Sequence, residues 1–344
     1  MDRKRFLASA ATLVAASAVP LKNSIAASAD EEELIYKMPP YLKPGDIIGI
    51  TSPAGTITVE EIQPAASVMK SWGYEIETGS SIGKKDFTFG GTDDERLQDL
   101  QQMLDDPHVK AIMCARGGYG SIRIVDRLDW TKFKQKPKWL IGFSDITVLH
   151  NHIHTNCQVA SIHSKMTNSF PDDWNKAEPI QIETIISIQD ALSGKKMNYS
   201  AVPNPQNKTG IAEGILVGGN LKTIETLAGS ASDIKTEGKI LFVEDTGEYL
   251  YSIDRMFWNL KRTGKLKGLK ALIVGGFKAK EDDPGEEFGR TLQDIVLEKL
   301  KNYQYPVCFD FPVGHQRANF ALKCGVKHRL SVMTDAVDLV ERRS

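Results

Sequence analysis

The sequence predicts an α/β protein of two domains, the first built on a mostly parallel sheet with helices on both faces, the second smaller and richer in strands. Three observations carry this. From Tyr41 onward, apolar strand-like runs end in glycine or turn residues and give way to helical periodicity, the alternation that builds a parallel sheet. A chain of 344 residues exceeds what one hydrophobic core usually serves. A stretch rich in Pro, Asn, Lys and Ser, SGKKMNYSAVPNPQNKTG over 193–210, has no apolar period and reads as a linker between domains at 31–192 and 211–344.

Residues 1–30 stand apart. Arg3, Lys4 and Arg5 precede an Ala-rich apolar run from Phe6 to Val19 that stops at Pro20, and Ser24-Ile25-Ala26 and Ala27-Ser28-Ala29 offer small-x-Ala cleavage sites. The run is too short for a transmembrane helix, so it reads as an export signal with a twin-arginine-like core in which one arginine is lysine. A periplasmic protein without stable membrane insertion after leader removal is expected.

In the first domain, Asp46–Thr51 reads as a strand ending at Ser52-Pro53-Ala54-Gly55, with a helix over about 59–72 behind it. Thr92-Asp-Asp-Glu95 is a helix start of capping-box type, with Leu97, Leu100, Met103 and Leu104 on one face. Val109–Ala115 is the next strand and runs into Arg116-Gly-Gly-Tyr-Gly120; Trp139–Phe143 is the third and runs into Ser144. Ligands on such sheets bind beyond the carboxyl ends of the strands, where these three loops lie. Beyond the linker, Ile240–Val243, Ala271–Val274 and Val307–Phe311 read as strands, with helices near 221–227, 252–261 and 291–300.

Composition narrows the function. A formal net charge of −1 gives no case for nucleic acid or a polybasic membrane contact. Cys114, Cys157, Cys308 and Cys324 lack Cys-x-x-Cys spacing, so zinc ribbons and redox motifs are not expected. Cys114 and Cys308, inside apolar runs, read as buried thiols, while export leaves a Cys308–Cys324 bridge open. His150, His152 and His154 alternate along a helix, which turns His152 away from the other two and makes a poor zinc cluster.

The stretch KWLIGFSDITVLH, Lys138–His150, carries the chemistry. A strand that turns through a serine into a helix is how several hydrolases expose a nucleophile. Here Gly142 and Ser144 supply half of that pattern, but the second glycine is absent, and a helix N-cap serine fits the same place. A nucleophilic serine needs a base, usually a histidine oriented by a carboxylate. His315, in the polar loop after the Val307–Phe311 run, is the candidate base, and Glu244, at the end of an apolar strand, the candidate carboxylate. The loop at Gly117 and Gly118 offers bare amides to an oxyanion, carboxylate or phosphate, without the Gly-Lys-Ser/Thr ending of a P-loop.

Taken in order, Leu42–Ala54, Gly91–Leu100, Ala115–Gly120, Ile141–Thr147, Leu216–Leu221, Val243–Asp245 with Tyr251–Arg255, and Pro312–Gln316 resemble the LD-carboxypeptidase family of serine peptidases, which includes the microcin-C-immunity-type peptidases. The resemblance covers about residues 40 to 330. It implies a three-layer α/β/α domain with a swivelling β-rich second domain, and a triad of Ser144 as nucleophile, His315 as base and acid, and Glu244 as orienting carboxylate. It also implies no metal or cofactor, a homodimer, and hydrolysis of the bond between a diamino acid's L-centre and terminal D-alanine in murein tetrapeptides. The Asp145 amide with Gly117 or Gly118 is then the candidate oxyanion hole, and Arg116 and Asn220 the candidate carboxylate contacts. The alternatives are an amidase for peptidyl- or aminoacyl-nucleotides, made less fitting by the export signal, and a solute-binding protein. A glycosidase using Glu244 and Glu248 fits poorly, since helical spacing would put both on one face.

Overall fold

The computed structural model describes residues 36–342, so the export signal expected over residues 1–30 lies outside the described residues. The described chain holds two sheets within one compact unit. In the first, Ile47–Thr51 (β1), Glu75–Thr78 (β2), Val109–Cys114 (β3), Trp139–Gly142 (β4) and Ser161–His163 (β5) run parallel in the order β5-β4-β3-β1-β2. Alternate residues of these strands feed two cores. Ile48, Ile50, Met113 and Ile141 pack with helices Gln63–Ser71 and Pro179–Leu192, whereas Val109, Ile112, Cys114 and Leu140 pack with helix Asp93–Asp105 and the helical segment after Ser144. A sheet apolar on both faces needs a helical layer on each, which gives the expected α/β/α sandwich. Thr92 and Glu95 form the predicted capping box at the start of the Asp93–Asp105 helix.

The second sheet is of mixed direction. Gly210–Asn220 (β7), Ile240–Thr246 (β8), Ala271–Lys278 (β9) and Val307–Cys308 (β10) are parallel. Lys327–Val332 (β12), Val337–Glu341 (β13) and Asn198–Ala201 (β6) continue it antiparallel from β7. Helices Leu250–Arg262 and Leu292–Lys299 cover only one face, through Val217, Leu241, Val243, Leu272 and Val274. The opposite face, with Phe242 and Ile273, packs on Phe311, Val313, Leu330 and Leu339.

Two segments depart from the sequence reading. The stretch 193–210 contains β6, which pairs with β13. Leu322–Cys324 (β11), from the second half of the chain, joins the first sheet antiparallel to β5. The halves are thus stitched by strand exchange as well as by a connecting segment. All four cysteines are free and buried, which closes the question of a Cys308–Cys324 bridge.

Candidate active site

Ser144 follows β4 at a strained corner. Phe143 is extended, Ser144 has φ 62°, and a short turn Ser144–Ile146 leads into helix Thr147–His152. A left-handed φ costs a non-glycine residue on the order of 1–3 kcal/mol and persists only where its surroundings dictate it. An N-cap serine would have extended backbone and bond an amide of the first turn. No side-chain capping bond is present at either helical start here. The N-cap alternative is therefore not what the structure holds.

What dictates the corner is packing on both sides of it. Beneath it, His150 Nε2 meets the Gly142 carbonyl at 2.9 Å and its Nδ1 meets Ser161 Oγ at 2.8 Å, while His154 Nε2 meets the same hydroxyl at 2.9 Å. One proton order satisfies all three: both Nε2–H groups donate, and Ser161 O–H donates to His150 Nδ1. Above it lies Gly117, where an added Cβ would stand 3.0 Å from the Ser144 Cβ and 3.2 Å from its Oγ, so only glycine lets this loop reach the hydroxyl.

The loop is fixed by buried charge. Asp145 Oδ2 accepts the Ser121 amide at 2.8 Å, and burial pushes its carboxyl pKa up while bonds from Ser121 and Gly120 pull it back. Fully buried Arg96 donates to the carbonyls of Gly91, Gly120 and Pro53. The loops after β1 and β3 are thereby tied to the Ser144 corner. Gly118 follows at φ 101°, and Arg116 is exposed, reaching the Thr56 carbonyl at 3.3 Å.

Glu244, on the second sheet, meets His315 from the loop after β10. Glu244 sits on β8, 0% exposed, at an irregularity between Val243 and Asp245. The chain after β10 runs beside β9, with Gly276 N–H donating to the Val313 carbonyl at 2.8 Å. Gly314, φ 103°, lies so close to Glu244 that a Cβ there would stand 2.4 Å from the Glu244 Cβ. This close pass delivers His315 Nδ1 to Glu244 Oε2 at 2.6 Å. With Nδ1–H donating to the carboxylate, Nε2 is left as a proton acceptor. The His315 side chain is 19% exposed, and its ring centroid lies 4.9 Å from that of Phe143, the residue before Ser144. The residue before Ser144 thus packs against the His315–Glu244 pair.

Asn220 stands beside Glu244 in the β7–β8 register, but its side chain is engaged within the fold. It accepts from Thr223 N–H at 3.0 Å as cap of helix Leu221–Thr226 and donates to Asp245 Oδ1 at 3.1 Å, while its backbone N–H donates to Thr147 Oγ1 at 3.0 Å. Missed by the sequence reading were Lys165 and Lys278, which line a cavity of about 270 Å³ with His315 and Phe143. Their only sequence signal was a lysine close behind a short strand and another at a strand end. Among the described residues no group of three or more His, Cys, Asp or Glu could hold a metal ion.

Comparison with known proteins bears on the same elements. Residues 48–164 match the LD-carboxypeptidase N-terminal domain and residues 213–330 the LD-carboxypeptidase C-terminal domain. The chain belongs to the LD-carboxypeptidase family. The family's two domain descriptions thus span Ser144 on one side and Glu244 and His315 on the other. Among its members, a probable murein peptide carboxypeptidase of Bacillus subtilis is 33% identical over 86% of this chain and 91% of its own length. The murein tetrapeptide carboxypeptidase of Pseudomonas aeruginosa is 28% identical over 81% and 91%. The crystal structure of a muramoyltetrapeptide carboxypeptidase from Oxalobacter formigenes superposes with TM-score 0.76 at 27% identity, covering 86% of this chain and 99% of that one. The chain is accordingly a carboxypeptidase-type hydrolase of this LD-carboxypeptidase fold.

Proposed function

We propose that the protein removes terminal D-alanine from murein tetrapeptides by serine catalysis. Ser144 attacks the carbonyl at the L-centre of the diamino acid as His315 Nε2 takes its proton. The Asp145 amide and one from Gly117 or Gly118 receive the oxyanion, a contribution on the order of 3–4 kcal/mol for one such donor. His315 then protonates the departing amine, leaving an acyl-enzyme that water opens with His315 again as base. Glu244 keeps the imidazole in the tautomer this requires. The observation that carries the reading is the strained Ser144 under Gly117, paired with the 2.6 Å His315–Glu244 contact.

The export signal expected at residues 1–30 would put the reaction in the periplasm, as trimming of wall fragments, and a homodimer is part of this reading. Among the described residues no helix is long and apolar enough to cross a membrane. Mass spectrometry of tetrapeptide incubated with wild type and Ser144→Ala tests it. Release of D-alanine by wild type, slowed ~10⁴-fold or more in the variant, is expected. Cleavage of an aminoacyl-nucleotide but not of the tetrapeptide would replace this reading with a nucleotide-amide one.

A further inference from the structure

The cavity beside His315 has an unusual charge balance. Lys165, Lys278 and Arg317 contribute to its wall with Phe143, Thr246 and His315, and no carboxylate lines it. Arg317 is paired with Glu178. Among the described residues neither Lys165 nor Lys278 forms an ion pair, and Glu244, whose charge reaches Lys165, is bonded to His315. Lys165 Nζ donates to the Gln316 carbonyl at 2.8 Å and stands 5.9 Å from the Phe143 ring centroid. Burial first, and then the charge of Lys278, pull its amine down to about 8 against the opposing charge of Glu244. Lys165 is half-buried and loses hydration, and the one carboxylate whose charge reaches it, Glu244, is already bonded to His315; exposed Lys278 adds a second positive charge beside it, an arrangement that a bound anion relieves.

Position identifies the anion. The departing amine must lie within hydrogen-bond reach of His315 Nε2 to be protonated. In an α-amino acid the carboxylate is two bonds from that nitrogen, so it falls in whatever space adjoins His315. That space is this cavity, whose volume of about 270 Å³ admits one small amino acid. We infer that the cavity is the subsite for the leaving amino acid and that Lys165, seconded by Lys278, binds its free carboxylate, confining cleavage to a chain terminus. The inference rests on the peptidase reading above and adds to it what makes the enzyme act only at ends.

The test uses tetrapeptide with a free terminal carboxylate and the same peptide as its C-terminal carboxamide, with kcat and KM measured for each. Wild type should prefer the acid by ~10²-fold, the scale of losing one desolvated charge pair. Lys165→Met should lower kcat/KM on the acid by ~10²-fold, chiefly through KM, and change the amide by less than about threefold. Lys278→Met should do the same more weakly, and Lys165→Arg should restore part of the preference, with melting curves reporting that each variant folds. Equal losses on acid and amide would mean that Lys165 only supports the His315 loop through Gln316, and would overturn the inference. A wild type that releases D-alanine from the acid and D-alaninamide from the carboxamide equally well would overturn it while leaving the peptidase reading intact. Release from neither would sink both.

Discussion

Two sets of histidines lie close to Ser144, and they differ in everything except residue type. His150, His154 and His163 are buried under the first sheet's serine corner, and burial pulls His150 down to about 4 and the other two well below the ordinary imidazole value. The partners found for His150 and His154 are neutral, a serine hydroxyl and a carbonyl. His315, in the loop after β10, has a buried carboxylate on one nitrogen, and its side chain is part-exposed. A histidine locked neutral between neutral partners supports structure. One held by a charged partner at the rim of a cleft can take and return a proton.

The largest expected effect tests that division. Glu244→Gln should lower kcat by ~10³- to 10⁴-fold, because the amide no longer favours the tautomer with Nε2 free, while the melting temperature changes little. His150→Phe should do the reverse. It loses two buried hydrogen bonds, worth about 1–3 kcal/mol in sum, while turnover per folded molecule falls only as far as the Ser144 corner relaxes, about tenfold at most. Steady-state kinetics beside denaturant melts read both. A His150→Phe enzyme that is stable but inactive would erase the distinction.

Acid sharpens the same contrast over a smaller range. The folded pKa values of His150 and His328 are depressed to about 4, and those of His154 and His163 also lie well below the model-peptide value of about 6.5. The unfolded chain therefore binds protons that the folded one refuses. Stability is fully present above about 6.5 and is lost as pH falls toward 4. Asp245, pushed up to about 6 by burial, works in the opposite direction, since it favours the fold as it protonates. Four histidines against it, and against Asp145, leave a net loss of a few kcal/mol on acidification. Urea melts at pH 7 and pH 5 should show it, with a shallower loss in His150→Phe, which has one proton fewer to refuse. Equal stability at both pH values would contradict the burial of these rings.

How much of this was legible in the sequence depends on how local each signal is. β1, β3 and β4, the capping box at Thr92 and the turn at Ser144 are written in runs of a few residues, and they stand where periodicity put them. So does Glu244, although its strand continues two residues beyond it. Val307–Phe311 is strand only at Val307–Cys308, because the chain then turns through Asp310 at φ 58° to run beside β9 toward Gly314. β6 and β11 escaped because each is short and pairs with a strand remote in sequence, so tertiary partners and not composition make them strands. The roles of Asn220 and Lys165 are invisible for the same reason. Both are polar residues at strand ends, and only the folded chain shows one bonded to Asp245 and the other facing a cavity.

The smallest effect is the most pointed, because it asks the serine corner to separate its two costs. If the 62° φ at Ser144 is imposed by the packing of Gly142, His150 and Gly117 around it, Ser144→Gly should stabilise the protein by about 1 kcal/mol, since glycine adopts that conformation without penalty. The greater freedom of glycine in the unfolded chain offsets part of this gain, so the comparison belongs with Ser144→Ala, which shares the strain and also lacks the hydroxyl. Both variants should be inactive, and glycine should melt higher than alanine. Were alanine the more stable, the corner would be relaxed in solution, and Ser144 would lose the strain that distinguishes it from an ordinary helix start.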